Sequence, residues 1–230
     1  MSTGSIGSWQ SGEYVEQWAG EDVLARILEL PRRISIALVV DAGVDVSHVV
    51  DLGSGEGPYL ADLLRAFPGA RGTWVDSSEP MLERARDQLA EFGDRVRFVV
   101  APVEQLAGAR LEPAEVVVSS RALHHCTPDS LATVYREVRR LLTPGGFFFN
   151  IDHVGSGADW EQCYRRIREQ IVGRRRNVLQ PHREDEPLHR VAAHLAWLEA
   201  AGFEAVDVPW RLLYTALLAA RAAPQRGQAP

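Results

Sequence analysis

Lysine is missing from this chain, and all 25 of its basic residues are arginine. Without an ε-amino group there is no Schiff-base chemistry, no attachment point for pyridoxal phosphate and no phosphate-loop lysine. Cysteine is nearly absent as well. Cys126 and Cys163 stand apart, without the paired spacing of a zinc site or a disulfide framework, which suits a reducing interior. His182, His189 and His194 form no i, i+4 metal pair and read as structural or surface groups, so no metal is expected. No segment approaches the roughly 20 apolar residues that span a bilayer. The first residues, MSTGSIGSWQSGEYVEQW, carry neither the basic start nor the apolar run of a secretion signal, and a cytoplasmic protein without a membrane partner is expected. Positive charge is the minority sign. The net charge of -6 repels phosphate backbones and makes nucleic acid an unfavoured partner.

What the sequence does contain is a regular alternation. Apolar strands HVVDL (48–52), GTWVD (72–76), VRFVV (96–100), EVVVSS (115–120) and FFFNID (147–152) are interleaved with helical segments at 58–67, at 79–92 and from Asp129 to Leu142. Such alternation specifies a parallel sheet covered by helices. Ahead of it, two helices are expected between Tyr14 and Gly43, the second opened by Pro31. Behind it come an Arg-rich, mainly helical stretch at 156–183 and a helix from Pro187 to Ala201. The last apolar runs, FEAVDV and LLYTALLAA, lie too close together for a crossover helix and should pair as an antiparallel hairpin. The expected fold is α/β: a doubly wound, mostly parallel seven-stranded sheet with a C-terminal antiparallel hairpin and a helical lid. Residues 1–46 would form N-terminal helices and lid, 47–153 with 184–222 the core, 154–183 a helical insertion over the substrate, and 223–230 a disordered tail. A chain of 230 residues is long enough to bury one such core.

The most informative segment is VVDLGSGEGPYL, where a strand carrying Asp51 runs into Gly53, Ser54, Gly55 and Gly57 and then a helix beginning at Pro58. Glycine lets the backbone turn sharply and approach a ligand, while a helix start presents free amides to an acidic portion of it. A dinucleotide fingerprint would need G-x-G-x-x-G, but Pro58 or Leu60 stands at the third position, which weakens a pyrophosphate reading. The next strand ends in Asp76, 25 residues after Asp51, as a carboxylate accepting both ribose hydroxyls should. Asp76 could instead cap the following helix, although Ser77 and Ser78 could do so equally well. The D-x-G-x-G-x-G pattern, SSRALHH after the fourth strand and LTPGG before the fifth resemble the class I, Rossmann-like S-adenosylmethionine-dependent methyltransferases of small-molecule type, over residues 48–152 and 187–221. The resemblance implies S-adenosylmethionine as cofactor and S-adenosylhomocysteine as product. It places the methionine and ribose portions on Asp51, Gly53, Ser54, Gly55 and Gly57, the ribose on Asp76 and Ser77, and Met81 beneath the adenine. The family's usual adenine-binding acid falls at Pro102 here, so that contact would pass to Ala101, Val103 or Glu104, with Ser119 completing the cofactor set.

Methyl transfer is a direct displacement that chiefly needs alignment, with a base only where the acceptor must lose a proton. In open α/β sheets the chemistry lies beyond the carboxyl ends of the strands, where Arg121, His124, His125, Asp152 and His153 are the candidates. If their segment is extended, His124 and His125 diverge and at most one faces the acceptor; capping or packing is the alternative for both. Tyr14, Trp18, Trp160 and Tyr164 could cover a flat acceptor or simply pack onto the sheet. Arginines between 165 and 183 could bind an anionic acceptor or RNA, but Glu184, Asp185 and Glu186 can neutralise much of that patch, and a solvated face is the plainer reading. Transfer to a small secondary metabolite is expected, oxygen first, nitrogen or carbon next, from a monomer or homodimer. RNA or protein methylation is the alternative within the class. A nicotinamide oxidoreductase or a silent cofactor-binding module is the alternative outside it.

Overall fold

The computed structural model describes residues 22–172 and 188–224. In chain order the elements are α1 (Asp22–Asp41), β1 (His48–Leu52), α2 (Pro58–Ala66), β2 (Arg71–Asp76), α3 (Glu79–Gln88), β3 (Val96–Val100), β4 (Ala114–Ser120), α4 (Pro128–Leu141), β5 (Leu142–His153), α5 (Ala158–Val172), α6 (Val191–Ala200), β6 (Ala205–Leu212) and β7 (Thr215–Arg221). The seven strands form one sheet in the order β3-β2-β1-β4-β5-β7-β6. β1 to β5 are parallel, and β7 runs antiparallel to both β5 and β6, as the spacing of the last two strands requires.

Alternation along each central strand sends side chains to opposite faces. Val49, Trp74, Val116, Val118, Phe147 and Phe149 join one core beneath α1, α2 and α3. Val50, Val75, Val117 and Phe148 join the other, beneath α4 and α6. Fully buried strands of this kind read as apolar runs because both faces are covered.

Several boundaries differ from the sequence expectation, α6 for one opening at Val191 rather than Pro187. Pro31 lies inside α1 rather than opening a second helix. Leu28, Pro31, Arg32, Ser35 and Val39 are all buried, so one stripe at helical spacing runs straight through the proline, and burial overrides its missing N–H. The helix expected to reach residue 92 ends at Gln88 and gives way to a tight turn in which Gly93 has φ 52°. β5 begins at Leu142, paired with Ala114, five residues before the apolar run.

Trp74, fully buried, ties this framework to the loop after β1: its indole Nε1 donates to the Gly55 carbonyl at 2.8 Å. Trp74→Ala should cost about 3–5 kcal/mol in urea unfolding. Trp74→Phe, which keeps a ring but loses the donor, should cost roughly 1 kcal/mol. Equal losses in the two variants would show that the indole hydrogen bond holds nothing.

Candidate active site

The carboxyl ends of β1 to β5 lie along one edge of the sheet, and the chain order reverses direction between β1 and β4, which opens a crevice there. It encloses about 950 Å³, open mouth included. Its walls are Leu28 and Arg32 of α1; Asp51, Gly53, Ser54 and Gly55 around the end of β1; Pro58 and Tyr59 of α2; Asp76, Ser77 and Met81; Pro102, Val103 and Glu104; and Ser120, Arg121, Ala122 and His125.

The loop after β1 can take its shape only with glycine. Gly53, Gly55 and Gly57 have φ of 63°, 56° and 85°, and a Cβ on Gly53 would stand 2.2 Å from that of Ala122. Asp76 holds the loop: one carboxylate oxygen accepts the Gly55 amide and the other the Ser78 amide, both at 2.9 Å. Ser78, not Asp76, caps α3, its hydroxyl accepting the Met81 amide at 3.3 Å. Burial raises the Asp76 pKa against these amides. Asp51 is buried too and accepts the Ser54 hydroxyl at 2.7 Å. Burial pushes its pKa up to about 7; the Ser54 hydroxyl and the Leu60 amide ease that push, yet Oδ1 completes no hydrogen bond of acceptable geometry. Among the lining residues three acids, Asp51, Asp76 and Glu104, face two guanidiniums, Arg32 and Arg121. The cleft therefore favours a ligand with positive charge.

Behind β4, the chain forms a tight turn over Leu123–His125 instead of an extended segment. The turn sends His125 to the cleft and His124 inward, where its side chain is 4% exposed and its ring pairs with Asp152. Asp152 Oδ2 also accepts the His124 amide at 2.9 Å, and Oδ1 the His153 amide at 2.8 Å. Burial alone would raise the Asp152 pKa, but His124 outweighs it and holds the carboxyl well below its usual range. The His124 ring centroid lies 4.0 Å from that of His125 and 4.9 Å from that of His153. Arg121 takes a left-handed backbone, φ 53°, its amide donating to the Ile151 carbonyl at 2.8 Å. A non-glycine residue in that conformation is strained by about 1 kcal/mol or more, and such strain concentrates at binding sites.

Of the residues singled out in the sequence, Asp51, Gly53, Ser54, Gly55, Asp76, Ser77, Met81, Pro102, Val103, Arg121 and His125 line this cleft together. Others do not. Gly57 turns the chain into α2; the Ala101 amide donates to the Asp76 carbonyl; Ser119 is buried and donates to the Leu52 carbonyl, while Ser120 lines the cleft instead. His124, Asp152 and His153 lie behind His125, and Tyr164 packs on Trp160 with ring centroids 5.6 Å apart. Tyr14, Trp18 and the arginines from 174 to 183 fall outside the described residues. Sequence reasoning missed Leu28, Arg32 and Tyr59. The available signal was an arginine inside the apolar stripe of α1.

A glycine loop at the end of β1 and an acid at the end of β2, in a doubly wound sheet, define a Rossmann-like nucleoside-binding protein. Residues 49–146 match the methyltransferase domain family. The chain is 35% identical over 117 residues to aclacinomycin 10-hydroxylase RdmB of Streptomyces purpurascens, covering 50% of this chain and 31% of that protein. It is 30% identical over 223 residues to trans-aconitate 2-methyltransferase of Streptomyces coelicolor, covering 92% and 66%. The chain thus spans between about a third and two thirds of these curated relatives. An O-methyltransferase family protein from Burkholderia thailandensis has the same fold, with a TM-score of 0.66 at 21% identity over 92% of this chain and 60% of that one. Residues 49–146 thus carry a methyltransferase domain, and S-adenosylmethionine is the cofactor that such domains use.

The residues present fit that cofactor. An ionised carboxylate has about four acceptor positions, so Asp76 can hold its loop amides and still receive ribose hydroxyls. The open Oδ1 of Asp51 and the absence of a Cβ at Gly53 leave room and an acceptor for the rest.

Two outcomes follow. Gly53→Ala should lower stability by roughly 1–2 kcal/mol and weaken S-adenosylhomocysteine binding, and Ala122→Gly in the same chain should recover part of both by removing the clashing methyl. No recovery would mean that the backbone conformation alone decides. Asp51 keeps its proton in the folded state up to about pH 7, so ionising it there opposes folding. Asp51→Asn should therefore gain stability over the parent as pH rises from 5 to 8; a difference independent of pH would contradict this.

Proposed function

We propose that this protein transfers a methyl group from S-adenosylmethionine to a small-molecule acceptor, with oxygen the favoured accepting atom. The observation that carries the reading is the single cleft in which the glycine loop and Asp76 share space with Arg121 and His125. The cofactor brings a methyl group on a sulfonium, whose positive charge suits a cleft lined by Asp51, Asp76 and Glu104. The nucleoside rests on Asp76, Ser77, Met81 and Val103, and the amino acid portion crosses Gly53 to Gly55. The acceptor then lies on the β4 side, against Ser120, Arg121 and His125.

For an acceptor hydroxyl, His125 is the candidate base. The His124 and Asp152 pair stands behind it, the His124 ring centroid 4.0 Å from that of His125. An acceptor that arrives as a carboxylate needs no base, and Arg121 provides its counter-charge; the relative that acts on trans-aconitate makes this case a specific one. α1 supplies cover through Leu28 and Arg32, over a core formed by 47–153 with 188–222.

A second reading comes from the relative named as a hydroxylase, at 35% identity. Incubation with methyl-labelled cofactor and a panel of phenols, hydroxy acids and carboxylates, followed by mass analysis, separates the two. Methyl transfer adds one labelled methylene unit; hydroxylation adds one oxygen and requires dioxygen. Activity only on RNA or protein, abolished by salt, would favour the macromolecular alternative. Cytoplasmic placement and a monomer or homodimer remain part of the reading, and no helix among the described residues is long and apolar enough to cross a membrane.

His125→Ala should lower turnover of a hydroxyl acceptor roughly 100-fold while leaving the thermal midpoint near that of the parent. His124→Ala should instead lose about 3 kcal/mol of stability, because Asp152 keeps a buried charge without its partner. The reverse pattern would remove His125 from the acceptor site.

A further inference from the structure

We propose that the methyl acceptor is a small hydroxy acid, its carboxylate held by Arg121 and its hydroxyl presented to His125. This rests on the reading of the cleft as a methyl-transfer site and deepens it, naming the substrate class and the residue that selects it.

The turn after β4 holds an arginine where glycine would sit without strain: Arg121 has φ 53°. The turn is pinned at three points. The Arg121 amide donates to the Ile151 carbonyl at 2.8 Å, the His124 amide to Asp152 at 2.9 Å and the Cys126 amide to the Leu123 carbonyl at 3.0 Å. Ala122 backs onto the glycine loop, so close that a Cβ on Gly53 would stand 2.2 Å from its own. The turn therefore starts beside the cofactor loop, and Arg121 and His125 at its two ends both line the cleft. A tight turn of this length sets them roughly 6–8 Å apart along the backbone. Two groups fixed at that spacing on one short turn suit a ligand that carries two polar groups of its own.

Charge says which groups. Asp51 and Asp76 line the cleft at β1 and β2, and Arg121 is the cation among the lining residues of the β4 side. Its guanidinium has five N–H donors in a planar fork, so it can take a carboxylate edge-on while keeping other contacts. Glu104, on the segment after β3, lines the same cleft and limits the negative charge it tolerates, so a monocarboxylate fits better than a phosphate. A carboxylate gripped by the fork has its lone pairs engaged and is a poor nucleophile, whereas a hydroxyl at His125 can lose its proton as it reacts. Transfer then forms the bond between hydroxyl oxygen and methyl carbon and breaks the bond between methyl carbon and sulfur. The hydroxyl proton passes to His125, and the products are the methoxy acid and S-adenosylhomocysteine. Arg121 is thus a handle for the acceptor rather than the presenter of a carboxylate to be esterified.

The test uses the ortho, meta and para hydroxybenzoates, glycolate and lactate, each beside its primary amide, on the full chain. Equilibrium titration of protein saturated with S-adenosylhomocysteine should show at least one acid binding roughly tenfold to a hundredfold more tightly than its amide. Turnover of that acid with methyl-labelled S-adenosylmethionine should give its methyl ether. Arg121→Met should erase the preference for acid over amide and leave the affinity for S-adenosylhomocysteine near that of the parent, and Arg121→Lys should keep part of the preference because charge remains without the planar fork. Arg121→Gly, which relieves the left-handed strain, should lose the preference too while melting within roughly 4 °C of the parent. A methyl ester as the product, equal binding of acids and amides, or a preference that survives Arg121→Met overturns the proposal. So does a chain that binds S-adenosylhomocysteine and none of the acids. If S-adenosylhomocysteine itself does not bind, the cofactor reading falls, and the hydroxy acid with it.

Discussion

The hydrogen bond from the Gly55 amide to Asp76 joins the loop after β1 to the end of β2, and the rest of the site depends on it. It crosses the gap between neighbouring parallel strands at the point where a ligand would otherwise find two loose ends. Trp74 reinforces the same junction from below through the Gly55 carbonyl, so both polar groups of one peptide region are held by β2. A loop with three left-handed glycines has large conformational freedom in the unfolded chain, and these two bonds offset part of the cost of ordering it. The result is a cleft floor whose shape is set before a ligand arrives, and preorganisation of this kind favours tight binding.

Charge then decides what the floor accepts. Asp51 and Asp76 are both buried, and burial, with a smaller push from the Asp76 charge, leaves Asp51 poised near neutrality. A cation beside Asp51 would favour its ionised form. Deeper in the molecule the opposite arrangement holds. Asp152 is kept ionised by His124, whereas His194, buried against Tyr135, is driven down to about 4 and stays neutral. Burial is what drives His194 down.

The fold was legible in the sequence because both faces of the sheet are covered. Strands such as VVDL and EVVVS are mainly apolar, and glycine, proline or serine marks nearly every turn. The glycine loop and Asp76 were legible for a related reason: a left-handed backbone and a strand-end carboxylate leave residue-type signatures at fixed spacing. Misreadings arose where tertiary contacts override local chemistry. Pro31 signals a helix start, yet the buried stripe from Leu28 to Val39 carries α1 through it. The separate fates of His124 and His125 were not legible, because a three-residue turn set by the Asp152 carboxylate decides which ring meets the cleft. Arg32 left only a faint signal, its place inside an apolar stripe, because it stands 19 residues upstream of Asp51 and no motif links the two.

The central claim is that Asp76 and the glycine loop together hold an adenosyl cofactor, and the most direct measurement is a crystal structure of the chain grown with S-adenosylhomocysteine. The account predicts the ribose hydroxyls on Asp76, with the Gly55 amide still donating to the same carboxylate and the amino acid portion running over Gly53 toward α1. A nucleoside bound elsewhere, or a cleft closed by the protein's own side chains at saturating ligand, would contradict it.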